Sequence, residues 1–466
     1  MALNALDRHV ALIGFMGAGK TTLAEPVAAR LGRRAVDADR ALEGRAQISI
    51  GSFFAKRGET EFRVAEAGLA REILRDPVRA VIALGGGAVK SPEVRRALEE
   101  HALTVFLEVD PDTAWIRVRG GDRPLAQDEA TFRRLFEERQ PLYREVADAV
   151  AHDEDGVVLA AAGVHHELGA LDRLGELIPG SGPVALVADT TVMGIYGPRA
   201  QQAIGDRLVS VHELPSGEEA KQISVVERLW SELAIDRAGT VVALGGGAVT
   251  DAAGFAAATY LRGVAWVAVP TTLVGQVDAG IGGKTAIDTA RGKNLVGAFH
   301  WPARVVVDET LLETLPERER RQGRAELVKT QLLAGADLDV RGAAAYKAGI
   351  CLRDPYDRDV RQWLNLGHTF GHALEAASDF GLSHGDAVAL GLLAALRLSG
   401  RDTAPVVEAL DPQPVRVDRD RAWDALLRDK KRAGDTINLV LLGDDGPYLE
   451  ARSPDEVRAA LDSLIQ

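Results

Sequence analysis

The seven residues ALGGGAV stand at Ala83–Val89, inside VIALGGGAVKSPEVR, and again at Ala243–Val249, inside VVALGGGAVTDAAGF. Each copy follows an apolar β-type run and precedes a helical pattern. Strand, glycine turn and helix in that order mark a parallel sheet with crossover helices. Two copies mean either one duplicated domain or two turns that met the same backbone need separately. Nothing around the first copy recurs around the second. The chain therefore reads as two different α/β domains with two active sites.

Working outward, HVALIGF, LTVFLEV, PVALVAD, VAWVAVP and ARVVVD read as further short buried strands. From about Glu317 the strand signal fades and helical patterns dominate. At 466 residues the chain exceeds one ordinary core. An acidic cluster, small residues and a Pro-Gly-Ser-Gly turn between Ala147 and Gly182 put a boundary near Asp155. The expected domains are 1–155 and 156–466, the second passing from an α/β lobe to a helical lobe near residue 316.

The net charge of −13 argues against nucleic acid as a partner, since phosphate backbones need a basic field. One cysteine, Cys351, excludes an intrachain disulfide framework and fits a reducing compartment. The start, MALNALDRHVALIGF, has no basic region followed by a long apolar run, and no apolar stretch reaches membrane-crossing length. The expectation is a cytoplasmic protein acting on small molecules.

The strongest local motif is GFMGAGKTT, Gly14–Thr22, directly after a strand-like run and opening a helix. Gly14, Gly17 and Gly19 let backbone amides close around phosphates. Lys20 brings a cation to the β/γ-phosphates, and Thr21, followed by Thr22, offers a hydroxyl to Mg²⁺. A glycine turn with a solvated lysine is the bland alternative, and the strand–helix setting argues against it. Asp37 and Asp39 follow at the end of another β-type run.

In the second half, RAELVKT puts Glu326 and Lys329 on one helical face. LNLGHTFGHALE does the same for His368 and His372, and LSHGDAVALG adds His384 at a helix start. A single histidine here would most often be structural. Together, Glu326, His368 and His384 make a set that can bind Zn²⁺ and leave a position open for substrate. The second glycine turn is not G-x-G-x-x-G and carries no standard dinucleotide fingerprint.

In its first 150 residues the chain resembles shikimate kinase, through GFMGAGKTT, DAD, SI-x-x-FF-x-x-R-G-E-x-x-FR, GGG, RPL and R-x-x-LY in that order. The resemblance implies a P-loop kinase that uses ATP and Mg²⁺. It implies that Asp37 helps hold Mg²⁺ and that Asp39 orients the attacking shikimate hydroxyl. Arg63 and Arg139 would clamp the substrate carboxylate, Gly85 and Gly86 would approach the ring, and Arg123 would close a lid over the phosphates. Guanidinium forks suit carboxylate and phosphate geometry. After Tyr143, AVAHDEDGVVLAAAG reads poorly as the helix that would close such a kinase.

From about residue 156 the chain resembles 3-dehydroquinate synthase. The carrying motifs are SGEEAK, GGGAVTD, VPTTLVGQVDAGIGGKTAID, GKN, AE-x-x-K, LN-x-GHT-x-GHA-x-E, HGDAVA and RDKK. The resemblance implies NAD⁺ and Zn²⁺, with Co²⁺ as an alternative, in one site between an α/β lobe and a helical lobe. NAD⁺ would oxidise a ring hydroxyl of 3-deoxy-arabino-heptulosonate 7-phosphate, phosphate would leave by β-elimination, and the returning hydride would leave no net redox change. Glu326, His368 and His384 resemble the metal ligands, and His372 a proton relay.

By the same resemblance, Lys284, Lys329 and Arg361 are catalytic contacts. Asn294, Lys347, Asn365 and Lys430 contact substrate, and Arg262 reaches across a dimer interface. Gly247, Asp251, Thr271, Thr272, Asp278, Lys293, Leu311 and Thr314 look like NAD⁺ contacts. The segment between Glu326 and His368 is short for that family, and DPYDRDVR is irregular where an acidic pair is expected. Two other readings stand beside this one. A polyol dehydrogenase of the glycerol-dehydrogenase type would accumulate NADH, and a non-catalytic kinase half would only bind nucleotide.

Overall fold

A computed structural model describes residues 4–120, 128–290, 292–379, 381–429 and 436–466. The chain divides into two compact units, Met1–His165 with Ala348–Arg353, and His166–Lys347 with Asp354–Gln466. Among the described residues, no helix is long and apolar enough to cross a membrane.

The first unit is built on β1 (His9–Ile13), β2 (Arg34–Asp37), β3 (Ala80–Ala83), β4 (Ala102–Leu107) and β5 (Ala149–Ala151), in the order β2-β3-β1-β4-β5. All pairings are parallel, with Val10 of β1 opposite Val81 and Leu103. Every residue of β1, β3 and β4 is buried, as expected of parallel strands covered on both faces. β1 lies between β3 and β4, so the loop leaving its C-terminal end enters the crevice where such sheets bind ligands. Phe15, just beyond β1, meets Phe132 and Phe136 edge-on at 5.0 and 5.2 Å and anchors that loop to the core.

A closing helix exists at Glu154–Ala161, contrary to the sequence expectation. Gly156 and paired valines are weak helix formers, but Asp153 caps the start by accepting from Gly156 N at 2.8 Å. Glu154 and Asp155 stand in the first turn, where the helix dipole favours them and where Arg30 binds both at 3.1 and 2.6 Å. Val157–Ala161 are buried, so packing and capping outweigh propensity. Asp155 lies inside this helix, and the compact units part between His165 and His166.

The second sheet, which apart from Val164 and His165 lies in the second unit, contains β6 (Val164–His166), β7 (Val184–Asp189), β8 (Leu208–Leu214), β9 (Thr240–Gly245), β10 (Ala265–Pro270) and β13 (Arg304–Val307), ordered β6-β13-β10-β9-β7-β8. The strand order reverses between β7 and β9, and the helix Gly247–Thr259 starts there. β11 (Lys284–Thr289) and β12 (Gly292–Phe299) form a separate antiparallel hairpin. The helical region carries Glu317–Ala334, His368–Ala377 and His384–Leu398, as the patterning predicts. A second hairpin, β14 (Ile437–Gly443) and β15 (Gly446–Arg452), departs from that expectation. Asp444 and Asp445 make its two-residue turn, and Ile437, Leu439 and Leu441 point alternately inward.

Candidate active sites

In the first unit, the loop after β1 needs glycine at two points. Gly14 has φ +146°, and a Cβ there would meet Leu107 O at 2.7 Å; Gly17 has φ +84°, and its Cβ would meet Ala114 O at 2.6 Å. Gly19 then leads into the helix Lys20–Leu31, whose N-terminus faces the loop. Lys20 Nζ donates to Gly14 O at 2.8 Å and to Phe15 O at 3.0 Å, which holds the ammonium over the loop's own backbone. Thr21 Oγ1 donates to Asp37 Oδ2 at 2.6 Å, so the two candidate Mg²⁺ oxygens share one spot. A hydroxyl and a carboxylate suit a hard cation.

A cavity of about 290 Å³ lies over this loop and includes Gly17, Gly19, Lys20, Thr21 and Thr22. A second, of about 450 Å³, is lined by Arg63, Glu66, Gly85, Gly86 and Arg139. Asp37 and Asp39 line both, so Asp39 stands where a phosphate donor and a second molecule would meet. Arg139 is buried and lies 5.5 Å over the Phe15 ring. Tyr143 donates to Gly86 O at 2.6 Å and fixes the glycine turn against the helix Glu129–Val146.

The sequence reading misses Glu66, one turn after Arg63 on the same helix. Arg63 Nη1 donates to Glu66 Oε2 at 2.7 Å and presents its guanidinium to the cavity. Burial pushes Glu66 up from the usual carboxylate range and Asp39 adds to this, while Arg63 pulls the other way. Arg117 is missed as well. It donates to Gly17 O at 3.1 Å and joins the phosphate cavity to a third, of about 700 Å³, with Ala18, Gln140 and His152. Arg123 lies outside the described residues.

In the second unit, one turn of the helix Glu317–Ala334 places Glu326 and Lys329 side by side and almost fully buried. Glu326 Oε1 lies 3.3 Å from His368 Nε2 and 3.2 Å from His384 Nε2, and the three candidate ligand atoms fall within 4.8 Å of one another. Burial alone would raise Glu326, but Lys329, His368 and His384 hold it well below the usual carboxylate range. Burial also works against a charge on His384, yet Glu326 and Glu375 outweigh it and push that imidazole up to about 10. Two imidazoles converging on a buried carboxylate call for a cation between them. The donor set fits Zn²⁺ or Co²⁺.

Asp278 joins the cluster: Lys347 binds its carboxylate and Lys329 Nζ lies 3.9 Å away. The sequence expectation for Asp278 is a contact to NAD⁺; in the structure its partners are these two lysines. Lys347 reaches the cluster despite the short segment before His368. Lys284 meets Asp357 at 2.5 Å, an aspartate that the irregular DPYDRDVR stretch hides and that sits at φ +57°. Arg361 is buried, and among the described residues its Nε has no hydrogen-bond partner, a donor suited to an anion. Asn365 ends the turn Val360–Asn365 that leads into His368. His372 lies on the His368 helix, 5.4 Å ring to ring.

Of the expected dinucleotide residues, Gly247 and Asp251 lie at the strand switch. Gly247 opens its helix and Asp251 follows one turn later, 2.8 Å from the buried Lys221. Lys221 also binds Asn294, so the lysine of SGEEAK is a further residue that the motif contains but the sequence reading leaves unassigned. Thr271 is buried at the end of β10, and Thr272 Oγ1 accepts from Gly275 N at 3.1 Å. Tyr196 joins Leu311 and Thr314, at 3.0 and 2.7 Å. Lys293 lies 3.5 Å from Glu218. Arg262 is exposed in the left-handed region beside Leu261, and Lys430 lies outside the described residues.

Known proteins match both units. Residues 16–163 match the shikimate kinase family model, 211–322 the 3-dehydroquinate synthase N-terminal model and 304–431 its C-terminal model. A bifunctional shikimate kinase/3-dehydroquinate synthase from Thermotoga maritima is 33% identical, covering 91% of this chain and 93% of its own length. The chain belongs to that bifunctional family.

The synthase unit is also 37% identical to a 3-dehydroquinate synthase of Symbiobacterium thermophilum, an alignment covering 71% of this chain and 99% of that protein. A crystal structure of 2-deoxy-scyllo-inosose synthase complexed with carbaglucose-6-phosphate, NAD⁺ and Co²⁺ superposes with a TM-score of 0.59 at 25% identity. It covers 64% of this chain and 96% of that one.

Proposed function

We propose that the kinase unit transfers the γ-phosphoryl group of ATP to shikimate, giving shikimate 3-phosphate and ADP, and that the synthase unit converts 3-deoxy-arabino-heptulosonate 7-phosphate to 3-dehydroquinate and phosphate. The carrying observation is that one chain holds two separate sets of polar side chains, each matched to one reaction. In the kinase unit, Gly14, Gly17, Gly19, Lys20 and Thr22 take the phosphates, and Thr21 with Asp37 takes Mg²⁺. Arg63 and Arg139 take the shikimate carboxylate, and Asp39 accepts the proton of the attacking hydroxyl. The 700 Å³ cavity beside Arg117 is the place for the nucleoside, and Arg123 is the lid arginine.

In the synthase unit, Glu326, His368 and His384 would hold Zn²⁺ or Co²⁺, and the helix start at Gly247 with Asp251, Thr271, Thr272, Lys293, Leu311 and Thr314 would hold NAD⁺. When bound, the metal supplies Lewis acidity at a substrate hydroxyl and NAD⁺ supplies reversible hydride transfer. The protein's own part is to bind two anionic groups and keep water out. Lys284, Asn294, Lys329, Lys347, Arg361, Asn365 and Lys430 serve the substrate, Asp278 fixes two of those lysines, and His372 moves the proton. A polyol dehydrogenase would need none of this anion-binding apparatus. We also propose a homodimer through the synthase unit, with Arg262 serving the partner's site; Leu295, Val296 and Phe299 on β12 are exposed and apolar. A reducing, cytoplasmic location suits the single buried Cys351.

The test tracks phosphate and NADH together. The synthase reading expects chelator-sensitive phosphate release from the heptulosonate phosphate with no net NADH; NADH accumulation without phosphate would sink it. ATP-dependent phosphorylation of shikimate by the same preparation tests the kinase half, and ATP binding without turnover would make that half a scaffold. Light scattering reports the dimer, and a monomer at micromolar concentration would contradict it.

A further inference from the structure

His368 and His384 are the paired imidazoles of the synthase unit, but their outer nitrogens have different partners. His368 Nδ1 lies 3.2 Å from the backbone oxygen of Leu366, a neutral acceptor fixed by the chain. His384 Nδ1 lies 3.3 Å from Glu375 Oε1. Glu375 sits two turns after His368 on the helix His368–Ala377, with a side chain only 13% exposed. Of the two imidazoles, His384 is the less confined, at 34% exposed against 11%. It begins its own helix, and its ring nitrogens contact only Glu326 and Glu375 among the described residues' hydrogen bonds.

We propose that Glu375 is the positioning residue that fixes His384 as a metal ligand and sets the tightness of metal binding; this rests on the metal reading of Glu326, His368 and His384. A proton on Nδ1, donated to Glu375, leaves the Nε2 lone pair aimed at the position shared with Glu326 and His368. A carbonyl partner orients an imidazole in the same way. A full carboxylate also raises the basicity of the opposite nitrogen, so His384 is the stronger donor of the pair. Among the described residues, the Glu375 carboxylate has its hydrogen bond with His384, while His372 and Lys293 bear on it electrostatically; it acts through His384.

The test is Zn²⁺ affinity of the full-length protein, measured by competition with a chromogenic chelator. Glu375→Ala is expected to bind Zn²⁺ roughly 10- to 100-fold more weakly than wild type. Glu375→Gln, which keeps an acceptor but loses the charge, is expected to fall between them. Co²⁺-loaded Glu375→Gln should retain the visible spectrum of the Co²⁺-loaded wild type, since the three ligands are unchanged. Equal Zn²⁺ affinity in Glu375→Ala and wild type overturns the proposal. So does a loss of affinity matched by a lower melting temperature of the metal-free variant, which would make Glu375 structural. Wild-type protein that fails to bind one Zn²⁺ per chain removes the metal reading itself.

Discussion

The two ALGGGAV turns share seven residues and fold differently. After β3 the first makes a short 3₁₀ turn, Ala88–Lys90, and a new helix begins at Pro92 behind a Ser91 cap. After β9 the second enters the helix Gly247–Thr259 directly. The residues downstream of each turn decide the outcome: Pro92 forces Ser91 into an extended conformation, whereas Thr250, Asp251 and Ala252 continue the helix. The surroundings differ too. A Cβ at Gly85 would run into Glu66 Oε1 and would meet Asp39 Oδ1 at 2.7 Å, and one at Gly87 would run into the Arg63 guanidinium. At Gly245 it would meet Val249 Cβ at 2.7 Å, and at Gly246 Thr272 Cγ2 at 3.0 Å. One turn lays its backbone beside charged side chains; the other packs tightly at the start of a helix.

The contrast between units is tested most forcefully by His368→Ala. Bound metal should be lost and synthase turnover should fall by about 10³-fold, with shikimate phosphorylation unchanged; retained metal would remove His368 from the ligand set. The turns themselves are compared by two alanines. Gly85→Ala should raise the KM for shikimate by roughly 10- to 100-fold, about 1.4 kcal/mol per tenfold, and leave the KM for ATP alone. Gly245→Ala should instead lower stability by about 1–3 kcal/mol through overpacking, read as a lower melting temperature, without touching kinase KM values. If the two variants behaved alike, the turns would be doing the same job.

These predictions draw unequally on what the sequence makes visible. The seven strands read from apolar runs match β1, β3, β4, β7, β9, β10 and β13, because strands buried on both faces are continuous hydrophobic stretches. The phosphate loop is legible because its glycines, lysine and threonine are neighbours in the chain. Glu326, His368 and His384 are legible through helical spacing and resemblance together. Glu66, Lys221, Asp357 and Glu375 are not, because each owes its place to a partner on another turn or another element. The helix Glu154–Ala161 and the hairpin β14–β15 escape the sequence reading for a related reason: an aspartate cap and a two-residue turn outweigh weak local propensity.

A smaller effect sharpens the kinase site. Glu66→Gln should raise the KM for shikimate by roughly tenfold, since a charge-assisted bond that steadies Arg63 contributes about 1.5 kcal/mol; the KM for ATP should not move. An unchanged KM for shikimate would show that Arg63 needs no such support.

The smallest concerns His9, whose Nδ1 accepts from Ala80 N at 3.0 Å while Nε2 donates to Asp76 O at 2.9 Å. Burial holds this imidazole below its usual value, although the Asp76 carbonyl pulls the other way. The unfolded chain therefore takes up the proton at a higher pH than the folded one. Stability should fall as pH drops below about 6.5. Between pH 8 and pH 5.5 the wild type should lose more stability than His9→Gln, read from thermal melts; parallel pH profiles would contradict the assignment.

The central claim is two independent active sites in one chain. Shikimate phosphorylation and phosphate release from the heptulosonate phosphate should be measured on the same preparations of wild type, Lys20→Ala and Glu326→Gln. Wild type should show both activities, Lys20→Ala only the second and Glu326→Gln only the first. A single substitution that abolished both, in protein that melts like wild type, would contradict the account.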